Sequence, residues 1–114
     1  MSSLRRIEVD EPFVRVDVHT AREMIENGDV QVIDVREPNE YAEGHIPGVK
    51  LVPLNTFLAR PREHLVNDNV MFVCAVGQRS AVACEMAAAI GFERVYNLEG
   101  GTTGWAKAGL PIEK

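Results

Sequence analysis

The apolar positions of the chain fall into five short runs, each followed by a polar turn or a stretch with helical spacing. Val14, Val16 and Val18 alternate with Arg15, Asp17 and His19, the period-two pattern of a half-exposed edge strand. Thr20, Ala21, Arg22 and Glu23 then have the spacing of a capping box, which predicts Thr20 as N-cap of a short helix carrying Met24 and Ile25 and stopped by Gly28. Val30 to Val35 is nearly continuous in apolar residues, as a strand covered on both faces must be. A turn with Pro38 leads to a short helix over 40–43, closed by Gly44. Lys50 to Leu54 reads as a third strand, and Asn55 to Leu65 as irregular or helical, broken at Pro61. VMFVCA, from Val70, is a fourth strand. From Arg79 to Gly91 the spacing is helical, with Glu85 on the wet side and Ala83, Met86, Ala87 and Ile90 opposite. Arg94 to Leu98 supplies a last strand, and 100–109 a turn and short helix in which Trp105 is a core anchor.

Strands alternating with helices predict an α/β fold: an open parallel sheet with helices on both faces. In such sheets ligands sit beyond the carboxyl ends of the strands, and Cys74 falls at such an end. The expected organisation is a single domain over 13–114, with residues 1–12 as a tail or an extra edge element.

Composition narrows the function. The 114 residues are 46% hydrophobic and 25% charged, enough for one core. A formal net charge of −5 leaves no clustered Lys and Arg for a nucleic acid or an anionic membrane. No apolar run approaches the ~20 residues of a membrane span, and the start lacks the apolar core of a signal peptide, so a cytoplasmic protein is expected. In that compartment the two cysteines, Cys74 and Cys84, are free thiols.

The candidate site is CAVGQRS, Cys74 to Ser80, between the fourth strand and the alanine-rich helix. A thiolate is a far better nucleophile than a thiol, and an ordinary cysteine with a pKa of about 8.5 is mostly protonated at neutral pH. A tight turn whose N–H groups converge on the sulfur at a helix N-terminus supplies positive potential without a proton to lose. Gly77 permits the turn, and Arg79 adds a planar cation suited to an oxyanion. Ser80 reads as a hydrogen bonder at the helix start, Cys84 as packing among small residues. His45 lies in a structural turn, His19 and His64 read as solvated, and no His or Cys spacing suggests zinc.

Three segments taken together, DVREPNEYAEGHIPG from Asp34, CAVGQRS from Cys74 and LEGGTTGW from Leu98, resemble a single-domain rhodanese, a sulfurtransferase, over roughly Val18 to Pro111. The resemblance implies that Cys74 is the nucleophile that carries a persulfide. It also implies that Ala75, Val76, Gly77, Gln78, Arg79 and Ser80 form a substrate-binding cradle with Arg79 as anion contact, and that Asp34 and Arg36 brace the site. The donor would be thiosulfate or a persulfide and the acceptor a thiol, cyanide or a protein thiol, with no metal or organic cofactor. Ala75 and Val76 stand where many loops of the family carry a cation or hydroxyl, and the CG[ST]G start of mercaptopyruvate sulfurtransferases is absent. Two rival readings are a sulfur-relay or noncatalytic binding module, and a cysteine phosphatase or arsenate reductase. The latter families place five residues between Cys and Arg, whereas four separate Cys74 from Arg79.

Overall fold

A computed structural model describes residues 11–114, so the tail or edge element expected over 1–12 lies outside it up to residue 10. Five parallel strands are present among the described residues: β1 (Val14–Val16), β2 (Gln31–Asp34), β3 (Lys50–Leu51), β4 (Val70–Val73) and β5 (Val95–Leu98). They pair in the order β1-β5-β4-β2-β3. The connecting helices are α1 (Val18–Asn27), α2 (Pro38–Glu43), α3 (Leu54–Ala59), α4 (Pro61–His64), α5 (Gln78–Ala89) and α6 (Gly101–Lys107).

Strand alternation divides the core into two layers. Val70 and Phe72 of β4 face Phe57 of α3 and Ala83, Cys84 and Ala87 of α5. Met71 and Val73 point the other way, onto Ala21 of α1 and Trp105 of α6. The expected α/β architecture with helices on both faces is therefore present. All four residues of β4 are fully buried at the centre of the sheet, and each large apolar side chain so buried contributes about 2–3 kcal/mol. That makes the carboxyl end of β4 a stiff platform.

Several boundaries differ from those the sequence predicts. Asp17, not Thr20, caps α1, its carboxylate accepting the Thr20 N–H at 2.8 Å. Val18 consequently opens a helix instead of extending β1, and Val14 is 55% exposed because β1 is an edge strand. The third strand stops at Leu51, since Pro53 has no N–H to pair and instead leads into α3. The α2 helix begins earlier, at Pro38, where Glu37 and Glu40 form a capping box. α5 starts at Gln78 and buries Ser80, Ala83, Cys84 and Ala87, while Met86 is half-buried. His64 is half-buried with its ring tilted against Phe57, whereas His19 is exposed. His45 is buried and stacked on Tyr41 at a ring separation of 3.7 Å.

Sheet order also sets where chemistry can occur. From β2 the chain proceeds to β3 on one side, and from β4 to β5 on the other. The carboxyl ends of β2 and β4 therefore flank the switch point, where an open α/β sheet leaves a crevice. Asp34 ends β2, and Cys74 follows β4 directly. Among the described residues no helix is long and apolar enough to cross a membrane.

Candidate active site

Cys74 leaves the sheet on the α5 side and is only 1% exposed. The chain then doubles back so that the Gly77 N–H donates to the Cys74 sulfur at 3.1 Å. Gly77 caps α5 with a φ of 105°, a conformation that strains any residue bearing a β-carbon. Ser80, in the first turn of the helix, places its hydroxyl 3.3 Å from the same sulfur. Burial pushes the Cys74 thiol up, but the Ser80 hydroxyl and the backbone N–H groups of Ser80, Gly77 and Val76 outweigh it. The balance lies below the ordinary thiol value. The positive end of the twelve-residue α5 acts in the same direction.

The cradle is braced from two sides. Asn97, fully buried on β5, accepts a hydrogen bond from the Ser80 hydroxyl and donates through Nδ2 to the Gly77 carbonyl at 3.1 Å. From α6, the N–H of Thr102 donates to the Cys74 carbonyl at 2.8 Å and that of Thr103 to the Ala75 carbonyl at 3.0 Å. Gly101 makes this approach possible, because a β-carbon there would overlap both carbonyl oxygens. Its neighbours in the GGTTGW segment thus anchor the loop, while Trp105 fills the core behind it.

The two arginines lie beside the cradle already paired. Nη1 and Nη2 of Arg79 donate to the two Glu40 carboxylate oxygens at 2.8 and 2.9 Å. The Arg79 hydrogen bonds, with a smaller contribution from the Glu37 N–H, hold the Glu40 carboxyl down at about 2. Arg79, expected as a ready anion contact, therefore has its fork occupied by Glu40. Arg36 is buried on Asp34, with Nε at 3.0 Å from Oδ1 and Nη2 at 2.8 Å from Oδ2, and also donates to the Gly44 carbonyl. This pair stands at the end of β2 across the crevice, Asp34 lying in register with Val73. It shapes the wall and makes no hydrogen bond to Cys74. Ala75 is half-buried, Gln78 is exposed, and Val76 forms a rim that is 56% exposed. An open groove of about 380 Å³, lined by Arg36, Glu40, Thr102 and Lys107 among others, runs alongside.

Cys84 is of a different kind. It is fully buried, donates to the Tyr96 carbonyl at 3.3 Å, and burial pushes its thiol far up. Two residues that touch the loop, Asn97 and Glu40, are not among the candidates the sequence indicates. Asn97 carries one readable signal, a lone polar residue at a buried position of an apolar strand. Glu40 carries none beyond its place in a capping box.

A family model described as Rhodanese-like domain matches residues 17–108, which takes in β2, the Cys74 loop and α6. The chain belongs to the rhodanese-like family. A protein named "Sulfurtransferase" from Allochromatium vinosum is 36% identical over 92 residues, 81% of this chain and 86% of that protein. "Thiosulfate sulfurtransferase GlpE" from Pseudoalteromonas translucida is 31% identical over 84% of this chain and 91% of its own. Among solved structures, a rhodanese-related protein from Thermoplasma volcanium superposes with a TM-score of 0.78 at 30% identity, covering 88% of this chain and 97% of that one. These similarities place the rhodanese-like domain seen here among sulfurtransferases.

Proposed function

We propose that this protein transfers a sulfane sulfur through a persulfide on Cys74, taking it from thiosulfate or a persulfide and passing it to a thiol or cyanide. The observation that carries this reading is the Gly77 N–H on the Cys74 sulfur at 3.1 Å, at the start of α5 and with Ser80 beside it. Donors fixed on the sulfur favour the thiolate that attacks the donor and that leaves when sulfur is passed on.

In the first step the Cys74 thiolate attacks the outer sulfur of thiosulfate. The new S–S bond forms as the old one breaks, and sulfite leaves with the electron pair. In the second, cyanide or a thiolate attacks the terminal sulfur, giving thiocyanate or a new persulfide and restoring the Cys74 thiolate. Thiolate chemistry of this kind requires no metal or organic cofactor. Gly77 and Ser80 hold the charge, Ala75, Val76 and Gln78 shape the mouth, and Asp34 with Arg36 keeps the β2 side of the crevice rigid. Arg79 is placed to meet an oxyanion once Glu40 gives way. The cytoplasm, where both cysteines remain reduced, is the proposed setting.

Four residues between Cys74 and Arg79 give a loop suited to one sulfur atom, whose sulfur already touches the amide at 77. The testing experiment measures thiocyanate formed from thiosulfate and cyanide beside hydrolysis of an aryl phosphate. Thiocyanate formation that vanishes in Cys74→Ser, with phosphate hydrolysis at background, is the expected result. Faster phosphate hydrolysis than sulfur transfer would contradict the reading.

A further inference from the structure

The two guanidinium groups beside the cradle, the planar forks suited to two oxygens of an anionic donor, are both matched with carboxylates. The Asp34–Arg36 pair is buried and has a further bond to the Gly44 carbonyl, so it is fixed. The Arg79–Glu40 pair is half-exposed, and its Glu40 member lines the open groove. Its geometry is bidentate, two parallel N–H···O bonds of 2.8 and 2.9 Å, the arrangement that two oxygens of a sulfonate would adopt on the same fork. Glu40 is also held from behind, since Oε1 accepts the Glu37 N–H at 2.9 Å in the capping box of α2. A carboxylate pre-positioned in this way pays little entropy to stay on Arg79. Glu43 and Lys107 line the same groove and Glu37 is exposed nearby, so charges of both signs border it and the Arg79 fork is the planar, bidentate one on the cradle itself. On the loop side the rim is uncharged, with Val76 exposed and Ala75 beside it.

We propose that Glu40 is a specificity-determining residue: it occupies the Arg79 fork in place of an anionic donor's sulfonate and biases sulfur uptake toward persulfides with uncharged bodies. The proposal rests on the sulfurtransferase reading above and names the donor class of that site. Thiosulfate has to displace Glu40 before its oxygens reach Arg79. A neutral-bodied persulfide, R–S–SH, needs no cation. The Cys74 thiolate attacks its outer sulfur, the S–S bond to R–S breaks, and R–S⁻ leaves with the electron pair to take a proton from water, while Cys74 retains S–SH.

The test compares wild type with Glu40→Gln, which retains an oxygen for the Glu37 N–H and one neutral bond to Arg79. Steady-state kinetics with cyanide as acceptor are measured for thiosulfate and for 2-mercaptoethanol persulfide. The ratio of kcat/KM for thiosulfate to that for the persulfide should rise about tenfold, through a lower KM for thiosulfate, once a charged competitor becomes neutral. Adding Arg79→Met should abolish the gain. A ratio that stays constant, because both donors change together or neither changes, would overturn the proposal. A second arm reads binding alone: sulfite titrated calorimetrically into Cys74→Ser should bind about tenfold more tightly when Glu40→Gln is also present. Unchanged sulfite affinity would likewise overturn it. A wild type that accepts sulfur from neither donor would contradict the sulfur-transfer reading, and the sulfite arm would still decide the role of Glu40.

Discussion

The Asn97 side chain, buried on β5, donates through Nδ2 to the carbonyl oxygen of Gly77 at 3.1 Å. This bond pins the turn that aims the Gly77 N–H at the Cys74 sulfur, and the Asn97 carbonyl oxygen accepts from Ser80 as well. Asn97→Ala leaves the buried Gly77 carbonyl without its side-chain donor, at a cost of roughly 1–3 kcal/mol, and leaves the Ser80 hydroxyl only the Cys74 sulfur as acceptor. Thermal unfolding should show a loss of about 1–3 kcal/mol, a fall on the order of 10 °C for a domain of this size. Iodoacetamide should also label Cys74 more slowly at neutral pH.

Ser80 has one hydroxyl proton and two acceptors, Asn97 Oδ1 and the Cys74 sulfur. With Cys74 as a thiol the hydroxyl donates to Asn97 Oδ1. With Cys74 ionised, turning the hydroxyl toward the sulfur stabilises the charge. Ser80→Ala removes that donor, so the Cys74 pKa moves up and the pH profile of alkylation shifts to higher pH. Sulfur transfer should fall by roughly three- to tenfold at neutral pH, for the loss of one charge-assisted hydrogen bond, and recover as the pH is raised. An unmoved profile would assign thiolate stabilisation to the amides alone.

Gly101→Ala should damage the cradle more than any other single-methyl change. The added carbon would overlap the Cys74 and Ala75 carbonyl oxygens, and backbone cannot rotate away as a side chain can. A destabilisation above about 3 kcal/mol is expected, on the scale of strained backbone and core overpacking combined. Gly104→Ala, three residues along α6, is the control. A β-carbon there meets only Val18 and the Glu99 carbonyl at ordinary contact distances, and helix propensity favours the change by up to about 1 kcal/mol.

Cys84 should behave as packing. Because burial pushes its thiol far up, iodoacetamide should modify the native protein at Cys74 alone, and at Cys84 only after unfolding. Cys84→Ala should keep most of the sulfur transfer and cost about 1–2 kcal/mol of stability for the small cavity left behind. Lost activity in a stably folded Cys84→Ala would make it a second working thiol.

The residues around the Cys74 loop differ in how far the sequence discloses them. Cys74, Gly77 and Ser80 lie within seven consecutive residues, so their spacing alone suggests a loop closing on a sulfur. β4 is also plain, because full burial demands the unbroken VMFV run. Asn97 and Glu40 reach the same loop from β5 and α2, through the parallel pairing of β4 with β5 and the crevice between β2 and β4. Strand order creates those contacts, and nothing in local spacing carries them. Val18 misleads for a related reason: the alternation of Val14 and Val16 continues into it, but the Asp17 carboxylate captures the Thr20 N–H and starts the helix early. Pro53 likewise ends β3 although Val52 and Leu54 extend the apolar pattern.

The proposed transfer stands or falls on Cys74 as the carrier of the sulfur. Intact-protein mass spectrometry after incubation with thiosulfate or 2-mercaptoethanol persulfide tests it most directly. Wild type should gain the mass of one sulfur atom, located on the peptide containing Cys74 and removed by cyanide, and Cys74→Ser should gain nothing. An added sulfur that persists in Cys74→Ser, or a wild type that stays unmodified with both donors, would contradict the account.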